Sequence, residues 1–285
     1  VKTQTLNYLK LMRPKHYLKN ALVFVPLMYS FRLTEPTLLA SVAIVFAALC
    51  LVSSGVYALN DIADCEKDKT HPRNKTRPIA SGLISKPAAA LFALLLFAAG
   101  GALAARHGAA IYFVGGYVLL NLAYSFKLKH VAVIDCFCIA AGFVLRVYAG
   151  GAVIGEFADV SEWLFLTITA VSLFFAFGKR RGEMLNIGGF GRKVLANYNI
   201  DFLNGIIFSC AGISVIFYAL WAIESDAPMV YTVPLVIFII CKYLLNIYSG
   251  SSYGDPVTVI LGDKILIGAT IIFGAVSLFF LYGGI

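Results

Sequence analysis

The fold class predicted by the sequence is an all-α, polytopic membrane protein, and three observations predict it. Hydrophobic residues make up 60% of the chain and charged ones only 13%, a balance no water-soluble domain of this length supports. Apolar runs near the ~20 residues needed to cross a hydrocarbon core follow one another along the chain. The basic residues gather in alternate connections between those runs.

Nine spans are expected, at roughly 18–32, 37–60, 87–106, 109–126, 131–153, 161–178, 201–223, 229–248 and 264–283. The first is the weakest, being interrupted by Lys19, Asn20 and Pro26, and the second runs unbroken into Asn60. The third and fourth are rich in Ala, Leu and Gly, the fifth carries Asp135 and Arg146, and the eighth carries Lys242 near its inner end. So little chain lies between spans that residues 1–285 read as one integral membrane domain.

With the N-terminus in the cytoplasm, the outer segments hold only Arg32 and Arg106 among the basic residues. They hold instead Glu35, Glu156, Asp159, Glu162, Glu224 and Asp226. This asymmetry supports the count and the orientation, N-terminus inside and C-terminus outside, and the expectation is a multi-pass protein of the plasma (inner) membrane. The polar, basic stretch up to Arg13-Pro14-Lys15 precedes any apolar core, so the expectation is a first span that serves as its own insertion signal rather than a cleaved leader.

A net charge of +8 does not indicate nucleic acid here, because the cations sit at membrane boundaries. Membrane lipid headgroups and phosphorylated substrates are the better partners. Six cysteines without a CxxC pair argue against disulfides and structural zinc. The sequence leaves the oligomeric state open, a homo-oligomer included.

The chemistry concentrates in the inner loops. The second span ends Asn60-Asp61-Ile62-Ala63-Asp64-Cys65-Glu66-Lys67-Asp68, with Asp61, Asp64 and Asp68 at i, i+3 and i+7. On a continuing helix these carboxylates share one face and repel by a few tenths of a kcal/mol per pair. A hard divalent ion relieves that repulsion, and Mg2+ takes one or two protein carboxylates and fills its shell with water and phosphate oxygens. The bland alternative, a solubilised helix end, places acids against the helix dipole. Lys75 and Arg77 follow in a proline-bearing loop, where they suit phosphate.

The acidic run, followed by Arg77-Pro78 and Ser81-Gly82, resembles the first aspartate-rich motif, NDxxDxxxD, of the UbiA superfamily. The resemblance runs nearly end to end. It implies a nine-helix bundle with cytoplasmic active-site loops, in which Asn60, Asp61, Asp64 and Asp68 hold a Mg2+-bound pyrophosphate. Where that superfamily carries a second aspartate motif, this chain has Gly178-Lys179-Arg180-Arg181-Gly182-Glu183. Cations bind phosphate directly, whereas carboxylates need a metal bridge, so the change fits a substrate with phosphates in two places.

That segment, together with Arg13-Pro14-Lys15-His16-Tyr17-Leu18-Lys19-Asn20 and Tyr124-Ser125-Phe126-Lys127-Leu128-Lys129-His130 before Asp135 and Arg146, resembles the phosphoribosyltransferase branch of the superfamily. The resemblance implies transfer of 5-phosphoribose from phosphoribosyl pyrophosphate to a polyprenyl (decaprenyl) phosphate, in the supply of arabinose-type sugars to the cell envelope. It implies that Lys179, Arg180, Arg181 and Glu183 serve the 5-phosphate or the lipid phosphate, and that Arg13, Lys15 and Lys19 meet the lipid phosphate at headgroup level. Tyr124, Lys127, Lys129 and Asp135 are then substrate-binding, and Asp135 is expected to line the donor pocket.

Asp135 and Arg146 lie about 16 Å apart along a helix, too far to pair. Arg146 has a structural reading as good as a functional one, and Lys242 is expected to snorkel to the headgroups. Gly115-Gly116 and Gly150-Gly151 are read as close-packing positions, and Gly188-Gly189-Phe190-Gly191, with no strand before it, as a weak phosphate-loop match. The four histidines suggest no metal site.

Two rival functions remain. A prenyl diphosphate could ionise at the Asp-rich site and alkylate an aromatic ring or a glycerol phosphate, but the missing second Asp motif opposes this. A transporter would place charges along its spans, where only Asp135, Arg146 and Lys242 stand.

Overall fold

The computed structural model describes residues 2–70, 74–155, 161–186, 193–249 and 256–283, and the secondary structure among the described residues is helical, joined by turns. The glycine-rich stretch 188–191, His71 and the acids Glu156 and Asp159 lie outside the described residues. The chain divides into two compact units, one of residues 1–129 with 145–159, the other of residues 130–144 with 160–285.

The first unit holds α1 (Lys2–Met12), a 3-10 helix (Pro14–Phe24), α2 (Val25–Tyr29), α3 (Pro36–Ala63), α4 (Cys65–Thr70), α5 (Lys86–Ala105), α6 (Ala110–Phe126) and the second part of α7 (Ile134–Ile154). The expected first span is therefore not one α-helix. Its 3-10 geometry has three residues per turn, which sets Tyr17, Asn20 and Val23 in one row. Tyr17 hydroxyl lies 2.9 Å from Ser54 Oγ, and Asn20 Nδ2 donates to Cys50 Sγ at 3.3 Å. An α-helix would instead turn the row by about 60° at each step. At the row's end the chain runs so close to α7 that a Cβ at Gly150 would stand 1.9 Å from the carbonyl oxygen of Val23.

Helix α3 is the spine of this unit. Its buried positions Val42, Val45, Leu49, Val52 and Val56 alternate by three and four residues, a single apolar stripe. Gly100 of α5 admits this stripe closely, since a Cβ there would meet Val52 Cγ1 at 2.7 Å and the Ala48 oxygen at 2.9 Å. Gly116 has only Leu145 Cδ2 at 3.6 Å, and Gly115 has no such neighbour, so of the expected packing glycines it is Gly150 that makes a close approach.

The second unit holds the start of α7, α8 (Glu162–Asn186), α9 (Ile200–Glu224), α10 (Val233–Tyr248), α11 (Pro256–Leu261) and α12 (Lys264–Tyr282). Phe174, Phe177, Leu203, Ile207, Tyr243, Ile247 and Leu266 form its core. Side chains cap its helices: Asn199 accepts from the Phe202 amide, and Asp263 from the Ile265 and Leu266 amides. Lys242, expected to snorkel to the headgroups, pairs with Asp263 at 2.8 Å, and this salt bridge holds the Asp263 carboxyl well below the usual range.

Seven helices of the two units are long and apolar enough to cross a membrane, and Ala110–Phe126 is a shorter apolar helix. These match eight of the nine expected segments.

Candidate active site: an acidic cluster braced by cations

Helix α3 does not continue through the aspartates. It stops at Ala63, with Asp64 as its C-cap at φ −93° and ψ 5°, and α4 restarts at Cys65. The three carboxylates consequently do not share one face, as the i, i+3, i+7 spacing predicted. Asp61 and Asp68 converge and are buried, whereas Asp64 turns aside to accept from Lys129 Nζ at 2.9 Å.

One guanidinium nitrogen joins the converging pair: Arg77 Nη1 lies 2.6 Å from Asp68 Oδ2 and 3.2 Å from Asp61 Oδ1. Asp68 also accepts from Asn74 Nδ2 at 2.8 Å. Asp61 takes a second cation, Arg13, from the junction of α1 and the 3-10 helix. Arg13 sits in the left-handed region at φ 54°, a conformation that costs a non-glycine residue roughly 1–3 kcal/mol. Its guanidinium lies 5.1 Å above the Tyr57 ring, and this contact with the Asp61 bond offsets the strain. Burial lowers the Arg13 pKa from its ordinary value, and Asp61 works against that shift.

Arg13, expected at the lipid phosphate, is thus engaged with the acidic cluster. Three cations and three carboxylates pair off within the protein, and Lys15 and Lys75 stand exposed nearby in sequence. Lys19 and Tyr124 are half-buried, and Lys127 is exposed.

Among the described residues, no three His, Cys, Asp or Glu side chains gather to cage a metal. The smaller donor set that Mg2+ requires is nonetheless present. Two hard carboxylates, Asp61 and Asp68, point at one position that a cationic nitrogen fills, and Mg2+ uses one or two carboxylates with phosphate oxygens completing its shell. The residues fit the ion through Asp61 and Asp68; Asp64 is committed to Lys129.

In the second unit the Lys-Arg-Arg-Gly-Glu segment is not a loop but the last turns of α8, so Arg180 and Glu183 share a face. Arg180 is 0% exposed and gives Nε to Asp135 Oδ2 at 2.5 Å and Nη1 to Glu183 Oε2 at 2.6 Å. Asp135, also 0% exposed, accepts from Tyr198 at 2.7 Å, and the Tyr198 oxygen accepts from the Val133 amide at 2.6 Å. Burial and the Asp135 bond push the Tyr198 phenol well above its usual range.

Arg181 donates to Asn204 at 2.8 Å and to the Ile247 carbonyl at 2.9 Å, and it lies 3.9 Å above the Tyr248 ring. Where phosphate contacts were expected, both arginines are bound to protein acceptors, and Asp135, expected to line the donor pocket, meets a guanidinium and the Tyr198 hydroxyl. Lys179 is half-buried.

Sequence reasoning missed the partners. Tyr198 and Asn74 carry no motif that marks them, and Asn20 was read as an interruption of a span and as the end of the Arg13–Asn20 segment, with no partner assigned. It accepts at 2.7 Å from Arg146, whose Nη2 donates to Tyr117 at 3.0 Å; Arg146 therefore rests on side chains, and a polar residue inside an apolar span was the available signal.

Together these features define an integral membrane protein, helical in its described elements, that presents a carboxylate cluster, braced by arginine and lysine, where its first long helix, α3, ends. The chain belongs to the UbiA prenyltransferase family, which matches residues 21–253. It is 35% identical over 273 residues to the decaprenyl-phosphate phosphoribosyltransferase of Corynebacterium glutamicum, covering 90% of this chain and 81% of that protein. The protein of the same name from Mycolicibacterium smegmatis is 31% identical, covering 90% and 87%. That from Mycobacterium tuberculosis is 30% identical, covering 93% and 94%.

In fold the chain is similar to a UbiA homologue from Archaeoglobus fulgidus solved with DMAPP and Mg2+, with a TM-score of 0.76 at 20% identity over 97% of this chain and 98% of that one. The form solved with GPP and Mg2+ gives 0.73 at 18% identity, again over 97% and 98%.

Proposed function

We propose that this protein transfers 5-phosphoribose from phosphoribosyl pyrophosphate to a polyprenyl phosphate of the decaprenyl class, releasing pyrophosphate. The observation that carries the reading is the cluster in which Arg77 bridges Asp61 and Asp68 and Arg13 meets Asp61. Relatives named for this activity match along nine-tenths of the chain.

The protein's internal charge pairing suggests how the site receives its substrate. Asp61 and Asp68, with Asn60, would hold Mg2+, which when bound neutralises charge on the pyrophosphate leaving group. The carboxylates then no longer need Arg13 and Arg77, whose guanidinium groups turn to phosphate oxygens, for which their planar forks are suited. Lys75, exposed two residues before Arg77, adds a further phosphate ligand. Lys129 keeps Asp64 aside, so that only two carboxylates face the anionic substrate.

The acceptor is already an anion, so no strong general base is required. A phosphate oxygen of the lipid attacks the anomeric carbon as the carbon–oxygen bond to pyrophosphate breaks. Stabilisation of charge on the departing group by Arg13, Arg77 and Lys75 supplies most of the catalysis. Lys15 and Lys19 receive the lipid phosphate at headgroup level, and Tyr124, Lys127 and Lys179 serve the remaining phosphate and sugar groups. Asp135, Arg180, Glu183 and Arg181 hold the ends of α7, α8 and α10 within the second unit.

In this reading nine segments cross the plasma membrane with the N-terminus in the cytoplasm, and the product feeds cell-envelope sugar synthesis. The test uses detergent-purified protein, labelled phosphoribosyl pyrophosphate and a polyprenyl monophosphate. Label entering the lipid phase only with Mg2+ supports the proposal. Turnover of a prenyl diphosphate with an aromatic acceptor, and none of the phosphoribosyl donor, overturns it.

A further inference from the structure

Asp68 is held through both of its oxygens, and the two holds differ in kind. Oδ2 accepts from Arg77 Nη1 at 2.6 Å, the same nitrogen that lies 3.2 Å from Asp61 Oδ1. Oδ1 accepts from the side-chain amide of Asn74 at 2.8 Å. An ionised carboxylate only accepts hydrogen bonds, so the Asn74 group that faces it is the NH2.

Asn74 also sets the position of the arginine. Its backbone carbonyl accepts from the Arg77 amide at 2.9 Å, across the short 3-10 turn Asn74–Thr76. One residue therefore grips the acid with its side chain and returns the arginine to that acid with its backbone. Asp68 is 3% exposed, so little water reaches the oxygen that the amide covers.

A divalent cation that takes the place of Arg77 Nη1 meets Oδ2 of Asp68 and Oδ1 of Asp61, and the guanidinium gives way by repulsion. The Asn74 amide is neutral and sits on the other oxygen of Asp68, so nothing drives it off. Ca2+ accepts a carboxylate through one oxygen or through both, in a flexible shell, whereas Mg2+ is smaller and demands a near-ideal octahedron. An Asp68 with Oδ1 covered suits the second ion better than the first.

We propose that Asn74 is a positioning residue that makes the site selective: by covering Oδ1 it limits Asp68 to coordination through Oδ2, and so favours Mg2+ over Ca2+. The proposal rests on the functional reading above for the presence of a divalent ion at this cluster. Asn74 acts through Asp68, as hydrogen bonds to a ligating carboxylate tune a metal site from outside it.

The test uses the full chain in detergent and follows protein-bound Mn2+ by electron paramagnetic resonance while Mg2+ or Ca2+ alone displaces it, with melting in EDTA recorded alongside. Wild type is expected to release Mn2+ to Mg2+ at lower concentration than to Ca2+. Asn74→Ala is expected to weaken Mg2+ about tenfold, the range for losing a partner of a metal ligand, and Ca2+ less, so that the preference shrinks. Asn74→Gln keeps an amide and is expected to retain more of the preference than alanine does. Should Asn74→Ala fail to fold, Asn74→Ser, whose hydroxyl stops one atom short of the amide nitrogen, carries the same expectation.

Mg2+ and Ca2+ weakened by one common factor mark a brace without selectivity and overturn the proposal. Unchanged affinity for both ions, or a wild type with no preference for Mg2+, overturns it too. Transfer is read separately with the labelled donor, so these outcomes leave phosphoribosyl transfer standing. A wild type that prefers Mg2+, loses that preference in Asn74→Ala and yet moves no phosphoribose sinks the functional reading alone.

Discussion

Arg77 and Asp68 meet at 2.6 Å, and the same arginine nitrogen reaches Asp61 at 3.2 Å, so a single cation separates two buried carboxylates. Removing it in Arg77→Ala leaves like charges facing each other. The expected result is a protein of lowered thermal stability in EDTA that recovers on adding Mg2+, because the ion replaces the lost cation. Transfer should fall roughly 100-fold in kcat, the scale for losing one donor to a developing anion. A melting temperature in EDTA equal to that of wild type would show that the bridge is not needed to hold the cluster.

Gly150 is a position where unit one tolerates no side chain. Its Cβ would lie 1.9 Å from a backbone oxygen, that of Val23, and backbone cannot swing aside as a side-chain tip can. Gly150→Ala should therefore cost at least the ~1–3 kcal/mol typical of overpacking. Gly115→Ala, with no neighbour within 4 Å of the new carbon, serves as the control and should melt as wild type does.

Glu66 ties α4 to the start of α5, accepting from Lys69 at 2.8 Å and from Lys86 at 2.9 Å. The two ammonium groups lower its pKa from 4.5 to about 2. A carboxylate whose folded pKa is depressed stabilises above its unfolded pKa and loses that stabilisation as pH falls through the folded value. The tie should hold above about 4.5 and fade towards about 2. Amide exchange of residues 65–70, corrected for intrinsic rates, should quicken over that window in wild type and show no such step in Glu66→Gln.

Much of this arrangement was legible in the sequence, for identifiable reasons. Helices longer than a bilayer is thick announce themselves by composition, and carboxylates at Asp61, Asp64 and Asp68 announce a cation by their mutual repulsion. The breakdown of that helix at Asp64 was not legible, because Lys129 competes for the carboxylate from 65 positions away. The 3-10 segment was visible only as a fault, in Lys19, Asn20 and Pro26, since the partner that draws Asn20 inward is Arg146, 126 positions on. Arg180 and Arg181 were legible as cations but not as buried ones, because sequence shows charge and hides burial. Their acceptors, Asp135, Asn204 and the Ile247 carbonyl, come from three other helices.

Arg180 offers the sharpest separation of structure from catalysis. It and Asp135 are both fully buried, and removing one partner of a buried ion pair strands the other charge at about 3–5 kcal/mol. Arg180→Met should therefore melt far below wild type, and Asp135→Asn likewise. The double variant strands neither charge of that pair, although Glu183 still loses its 2.6 Å partner, so its loss should be clearly less than the sum of the two single losses. If Arg180 instead held substrate phosphate, the singles would melt near wild type and raise the KM for phosphoribosyl pyrophosphate. Melting curves of the three variants, set beside their KM and kcat, decide between the two: a large coupling energy in stability places Arg180 in the frame, whereas additive stabilities with a raised KM place it on the substrate.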